Sequence, residues 1–221
     1  MRIFVTKKVP VWEEVSKPLV DAGHEIKFGV LADIDETYEG LLCLLTDKIN
    51  EEVLAKVKDL KIIANYAVGF DNVDVAACQK RNIAVTNTPS EKVNESVAEH
   101  AWALMLALTR RITEANEFMR NAAYRGWEPD IFLGSDMAGK TLGVVGLGRI
   151  GSMVAKRAEG WGMKVMSVGR EGSLEELLRE SDYVSLHVPL TAETRHLING
   201  KNLPMMKKSA FLETLITTPP I

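Results

Sequence analysis

The sequence predicts an α/β protein built from two consecutive parallel-sheet units. Three observations carry that reading. Short apolar or β-branched runs alternate with helix-length amphipathic stretches, most runs are nearly continuous in apolar residues as strands covered on both faces must be, and one long helical pattern separates a first alternating series from a second.

In the first series RIFVT (2–6), EIKF (25–28), LLCLLT (41–46), KIIANY (61–66) and IAVTNT (83–88) read as strands, with WEEVSKPLVDAG, INEEVLAKVKDL and VDVAACQKRN as the helices between them. The turn AVGFDN after KIIANY leads into the third of these helices, with Asp71 as its candidate N-cap. From Val93 to Asn121 the longest helical pattern keeps Val97, Ala101, Leu104, Leu108 and Ile112 on one apolar face, opposed by Arg110, Arg111, Glu114 and Glu117. The irregular stretch NAAYRGWEPDIFLGSDMAGK follows. The second series is TLGVV, a helix from Arg149, KVMSV, a short helix SLEELLRES, YVSLHV and AFLETL.

Composition narrows the function classes. The 221 residues are 46% apolar with a net charge of −3 and no basic block, which argues against nucleic acid or an anionic membrane as partner. Cys43 and Cys78 offer neither a disulfide framework nor metal-type spacing, so a reducing, cytoplasmic setting without a metal is expected. Charges within the first 15 residues interrupt any signal-peptide core. No run approaches the roughly 18 apolar residues of a membrane span.

The second series opens with TLGVVGLGRIG, in which Gly146, Gly148 and Gly151 satisfy G-x-G-x-x-G directly after a strand and at the start of a helix. Gly146 suits the tight turn, Gly148 the close approach of backbone to a pyrophosphate, and Gly151 the packing of helix on strand, while the N–H groups of Arg149 and Ile150 face the anion. This predicts a dinucleotide site. After KVMSV the chain reads Gly169, Arg170, Glu171, so the acid that would hold an NAD ribose is missing and Arg170 is placed to meet a 2′-phosphate. The expected cofactor is therefore NAD(P), leaning to NADP; a solvated Arg170 neutralised by Glu171 is the alternative.

The stretches ANYAVGFDNVD, VTNTP, SVAEHAWALMLALTRR, GWEPDIFLGSDMAGKTLGVVGLGRIG, LLRESDYVSLHVPLTAETRHLI and MMKKSAFL occur in this order and resemble the D-isomer-specific 2-hydroxyacid dehydrogenases. ANYAVGFDN, W-x-P before FLG, and the non-acidic Gly-Arg pair are most similar to the glyoxylate and hydroxypyruvate reductases. The resemblance implies a flavodoxin-like substrate-side domain over residues 1–95. Residues 96–221 would then hold a connecting helix and a Rossmann domain incomplete at its C-terminus. It implies reduction of a small 2-keto acid to the D-2-hydroxy acid by an NAD(P)-dependent oxidoreductase. Carried over by position, Val68 and Gly69 offer amides to the substrate carboxylate. Leu147 to Ile150 form the pyrophosphate loop, Gly169 to Glu171 the ribose loop, and Val188, Pro189 and Thr194 the adenosine-side wall. A homodimer formed through the long helix and the loop around Trp127 is also implied.

Of the four histidines, His24, His100, His187 and His196, the most suggestive is His100 beside Glu99, yet neighbours on a helix point about 100° apart and cannot pair along one face. In the family the proton-transferring histidine, its glutamate and the substrate-gripping arginine lie in the last third of the chain. Here Thr214, Leu215, Ile216, Thr217 and Thr218 stand where an Asn-Thr-Ala-Arg-Gly type segment is expected, and Glu213 puts a charge in a buried strand. No catalytic residue is therefore assigned, and a C-terminal truncation or reading-frame error near residue 213 is the expectation. The links REGSLEE and LADIDETYEG are shorter than usual in the family, which predicts short crossover helices. A non-catalytic dinucleotide-binding module or decayed fragment is the rival reading; formate or phosphonate oxidation on the same scaffold is weaker, because W-x-P and FLG point to reductases.

Overall fold

The computed structural model describes residues 1–214. Leu215 to Thr218, in the segment where the arginine is expected, lie outside the described residues. The chain forms two compact units that divide between Ser90 and Glu91.

The first unit runs β1 (Arg2–Val5), α1 (Trp12–Asp21), β2 (Glu25–Phe28), β3 (Gly40–Leu44), α2 (Glu51–Lys56), β4 (Ile62–Tyr66), α3 (Val75–Lys80) and β5 (Ala84–Thr86). All strands are parallel, in the order β2-β1-β3-β4-β5, which is the flavodoxin-like order. Phe4, Leu41, Cys43, Ile49, Leu54, Ile63 and Cys78 form the main core. The helices start where short polar side chains accept from free amides: Asn50 from Val53 N–H at 3.1 Å, and Asp74 from Ala77 N–H at 2.9 Å. The cap of α3 is thus Asp74, not Asp71, because the turn after β4 continues for several residues before the helix begins. The LADIDETYEG link contains only a 3₁₀ turn at Leu31–Asp33; its Ile34 and Tyr38 are buried, Tyr38 edge-on to Phe4 with ring centroids 5.0 Å apart.

The second unit begins with α4 (Glu91–Thr109) and α5 (Ile112–Arg120). It continues as β6 (Thr141–Val145), α6 (Arg149–Ala158), β7 (Lys164–Val168), α7 (Leu174–Glu180), β8 (Tyr183–Leu186) and β9 (Phe211–Thr214). The four strands are parallel in the order β7-β6-β8-β9. Alternation divides the core between the two faces of this sheet. Leu142, Val144 and Tyr183 pack with Ala98, Ala101, Trp102 and Met105 of α4 and Val154 and Ala158 of α6, whereas Val145, Val184 and Leu186 pack with Leu177 and Leu178 of α7. The long helix therefore belongs to the second unit, five residues earlier than the expected boundary. It buries Ala98, Ala101, Trp102 and Met105; of the face read from the sequence only Ala101 is buried, and Leu108 and Ile112 are exposed.

The expected single helix over 93–121 is also interrupted, at Arg111, whose φ is +54°. The cause is local. The Thr109 carbonyl accepts from Ser135 N–H at 2.9 Å instead of continuing the helical ladder, and the Thr109 hydroxyl donates to the Ser135 carbonyl at 3.0 Å while lying 2.6 Å from the Tyr183 hydroxyl. The incoming loop fits because Gly134 lacks a side chain: a Cβ there would lie 2.4 Å from the Thr109 carbonyl oxygen. Arg111 then lies over the Phe132 ring at 5.3 Å and pairs with Glu114. Gly134→Ala should lower the stability of the second unit by about 1–3 kcal/mol, since backbone must move to admit the methyl group. A denaturant midpoint unchanged from wild type would show that the loop does not hold the break.

Candidate functional site

At the end of β6 the chain turns at Gly146 (φ +93°) into α6. Any side chain at two positions would prevent this turn: a Cβ on Gly151 would lie 2.0 Å from the Gly146 carbonyl oxygen, and one on Gly146 would lie 2.8 Å from the His187 carbonyl oxygen. A Cβ on Gly148 would instead meet nothing within 4 Å, so the open side of the turn is here. Gly148 is the N-cap residue of α6, whose ten residues leave the first-turn amides of Arg149 and Ile150 without intrahelical acceptors at the positive end of the helix.

A cavity of about 750 Å³ opens at the C-terminal ends of β6, β7 and β8. Its wall brings together seven residues singled out in the sequence: Gly146, Gly148, Gly169, Arg170, Val188, Pro189 and Thr194. Leu147, Arg149, Ile150, Gly151 and Glu171 do not line it; Gly151 acts from behind through packing, and Glu171 stands exposed before the Gly172 turn (φ +105°). The wall also contains His187, Thr191 and Glu193, which sequence reasoning did not assign to the site. The repeated threonines of PLTAET were the available signal. Thr191 N–H donates to the Thr194 hydroxyl at 2.7 Å, and that hydroxyl donates to the Pro189 carbonyl at 2.5 Å, which stiffens the turn carrying Glu193. The Glu193 carboxyl is held below its usual range first by the Thr191 hydroxyl, then by its own backbone amide, with a smaller contribution from the Arg170 charge. Among the described residues, Arg170 and Glu193 are the only Arg, Lys, Asp or Glu side chains on this wall.

From the cavity wall a polar chain runs inward from the half-buried His187. His187 Nε2 is 2.7 Å from the Ser185 hydroxyl, which donates to Glu213 Oε2 at 2.5 Å. Glu213 is only 3% exposed, and its Oε1 finds no hydrogen-bond partner among the described residues. Burial pushes its carboxyl up; the Ser185 hydrogen bond and, less, the His100 charge oppose that shift. Burial also pushes His187 down to about 4. The other histidines stand apart from this wall: His24 lies 3.2 Å from the N-terminal amine, His100 is on the exposed side of α4, and His196 has φ +54° and accepts through its carbonyl from Asn199.

In the first unit, the turn after β4 presents Val68 and Gly69. Their carbonyls are occupied, Val68 O accepting from Asn87 Nδ2 at 2.8 Å and Gly69 O from Asn65 Nδ2 at 2.9 Å. Asn65 is buried and also donates to Asn72 Oδ1 at 3.0 Å, so the turn is fixed from its inner side. Among the described residues, no acceptor takes the N–H of Val68 or Gly69.

The half-buried His187 and the buried Glu213, linked through Ser185, generate opposed pH dependences. His187 has its folded value depressed from 6.5, so its contribution to stability is present above pH 6.5 and is lost as pH falls towards about 4. Glu213 has its folded value raised from 4.5, so its contribution is present below pH 4.5 and is lost as pH rises through the folded value. His187→Gln should flatten the acid-side fall in melting temperature and Glu213→Val the fall on the other side, raising the melting temperature at neutral pH. Melting curves from pH 4 to 8 that keep the wild-type shape in both variants would refute the assignment.

Comparison with known proteins agrees with this geometry. Residues 102–214 match the family model described as D-isomer specific 2-hydroxyacid dehydrogenase, NAD binding domain. The chain is 41% identical over 237 residues to a glyoxylate reductase of Thermococcus litoralis, covering 96% of this chain and 70% of that protein. A glyoxylate reductase of Korarchaeum cryptofilum is 40% identical over 239 residues, covering 96% of this chain and 69% of that protein. Among solved structures, the TT0316 protein of Thermus thermophilus superposes with a TM-score of 0.87 at 39% identity, over 97% of this chain and 73% of that one. A D-lactate dehydrogenase of Aquifex aeolicus, complexed with NAD and lactic acid, superposes at 0.83 with 33% identity, over 97% and 68%. With the glycine turn, the cavity and the two sheet orders already in place, these likenesses establish that the chain belongs to the D-isomer-specific 2-hydroxyacid dehydrogenases, a family of oxidoreductases.

Proposed function

We propose that the chain is built for NAD(P)-dependent reduction of a small 2-keto acid, glyoxylate or hydroxypyruvate, to the D-2-hydroxy acid. The observation that carries this reading is the 750 Å³ cavity at the Gly146 turn, with Arg170 on its wall and the α6 N-terminus beside it. The cradle fits a dinucleotide because a side chain at Gly146 or Gly151 would close it, whereas the space over Gly148 is open. The bound nicotinamide would supply the hydride. The chain's own residues would bind and orient: the free amides of Arg149 and Ile150 hold the pyrophosphate, Val188, Pro189 and Thr194 wall the adenosine, and the Val68 and Gly69 amides orient the substrate carboxylate. NADPH is bound at least as well as NADH, through Arg170 and the 2′-phosphate.

The homologues named glyoxylate reductase support the substrate class. We place the protein in the cytoplasm, in line with two buried free thiols, Cys43 being pushed up to about 12 by burial. No described helix is long and apolar enough to cross a membrane. A homodimer is supported by the second stripe of α4, where Leu108 is exposed beside the half-buried Leu104 and Val97, and by Trp127, which is 79% exposed. We infer that turnover by these 221 residues is slow, since residues 214–218 contain no arginine and no histidine follows His196. General acid catalysis contributes about 10²–10⁴ and a positioned electrostatic donor about 10²–10³.

Fluorescence titration with NADPH and NADH tests the cofactor reading. Arg170→Ala should weaken NADPH by about tenfold and NADH little, as expected for one charge-assisted contact. Gly151→Ala should abolish both. Equal losses for the two cofactors in Arg170→Ala would remove the 2′-phosphate contact from the proposal. Glyoxylate-dependent NADPH oxidation should be slow for the 221-residue chain; rapid turnover would mean that a proton donor among the present histidines had been missed.

A further inference from the structure

Resting on the dinucleotide reading above, the geometry points to Glu193 as the residue that sets the balance between NADPH and NADH, by opposing Arg170 across the ribose end of the cavity. Arg170 follows β7 and Glu193 follows β8, and these strands flank β6 on opposite sides, so the two charges approach the same cavity from its two edges. They are the only Arg, Lys, Asp or Glu side chains on its wall among the described residues. A 2′-phosphate entering there gains the guanidinium but must also meet a carboxylate of its own sign; a ribose hydroxyl meets no such penalty and can donate to that carboxylate.

Glu193 is suited to this role by its support. The Thr191 and Thr194 hydrogen bonds hold the turn on which it stands, and Arg195 N–H donates to the Thr191 carbonyl at 3.0 Å, so the backbone that carries the carboxylate is fixed at the cavity. The Thr191 hydroxyl and the Arg170 charge both favour its ionised form. Glu171, adjacent to Arg170 in sequence and the obvious candidate for neutralising it, is off the wall. The counter-charge at the site is thus contributed by a residue 23 positions further along the chain.

The test is titration of wild type, Glu193→Gln and Arg170→Ala/Glu193→Gln with NADPH and with NADH, with circular dichroism as a fold control. Glu193→Gln should tighten NADPH by about three- to tenfold at low salt and leave NADH unchanged or slightly weaker. The gain should shrink as ionic strength rises to about 0.5 M, because both charges are exposed. In the double variant the NADPH-to-NADH ratio should fall below that of Glu193→Gln. A ratio unchanged by Glu193→Gln, with both cofactors still bound, would overturn the assignment of Glu193 alone. Failure of the wild-type chain to bind either cofactor would overturn the dinucleotide reading and this inference with it.

Discussion

The second unit depends on one steric constraint, the contact between the backbone at Gly151 and the Gly146 carbonyl. With only 2.0 Å between that oxygen and the place a Cβ would occupy, α6 can lie against the end of β6 only if residue 151 has no side chain. The consequence is electrostatic as well as steric. Close packing brings the N-terminus of α6 to the mouth of the cavity, where its unpaired amides carry positive partial charge, while Gly148 keeps the approach clear. Strand order completes the arrangement: β7 and β8 diverge to either side of β6, and the crevice between their following loops becomes the cavity.

Helix α4 shows how packing chooses between two plausible faces. Both stripes are apolar, but Ala98 and Ala101 are small, and they let the helix approach Val154 and Ala158 of α6 closely while Trp102 donates its indole N–H to the Val154 carbonyl at 3.2 Å. A stripe of Val97, Leu104 and Leu108 would hold the helices further apart. The same economy of small residues recurs at Gly134, where the loop reaches the Thr109 carbonyl and ends the helix from outside. Helix termination here is a tertiary event, since nothing in the local run LALTRRITEA forbids continuation.

The buried Glu213 sits in β9 beside Ser185 of β8 in parallel register, so its hydrogen bond follows directly from strand pairing. That pairing satisfies one carboxylate oxygen and links it through Ser185 to His187 on the cavity wall. A polar chain of this kind ties the last described strand to the candidate site. Its tolerance rests on both titratable ends favouring their neutral forms, so that no net charge need be buried.

Sequence alone determined the fold class, the strands of both sheets and the glycine turn, because these rest on local periodicity and on short-range backbone requirements that each segment expresses by itself; the family followed from the resemblance of several motifs in order. The Gly146 to Gly151 turn was legible for that reason, whereas the flavodoxin-like unit and the choice of Val188 and Thr194, which line the same cavity as Arg170, came through the resemblance to the family. What only the tertiary structure decided were features that need two distant segments at once. The face of α4 that is buried depended on α6, the break at Arg111 on Gly134 and Ser135, and the placement of Glu193 opposite Arg170 on the divergence of β7 and β8 around β6. The cap at Asp74 instead of Asp71 depended on the length of the turn after β4, and Glu193 instead of Glu171 stands on the wall with Arg170, Glu171 lying off it beside the Gly172 turn. Pairwise distances between charges and steric access to a carbonyl are properties of the folded chain, and no single segment encodes them.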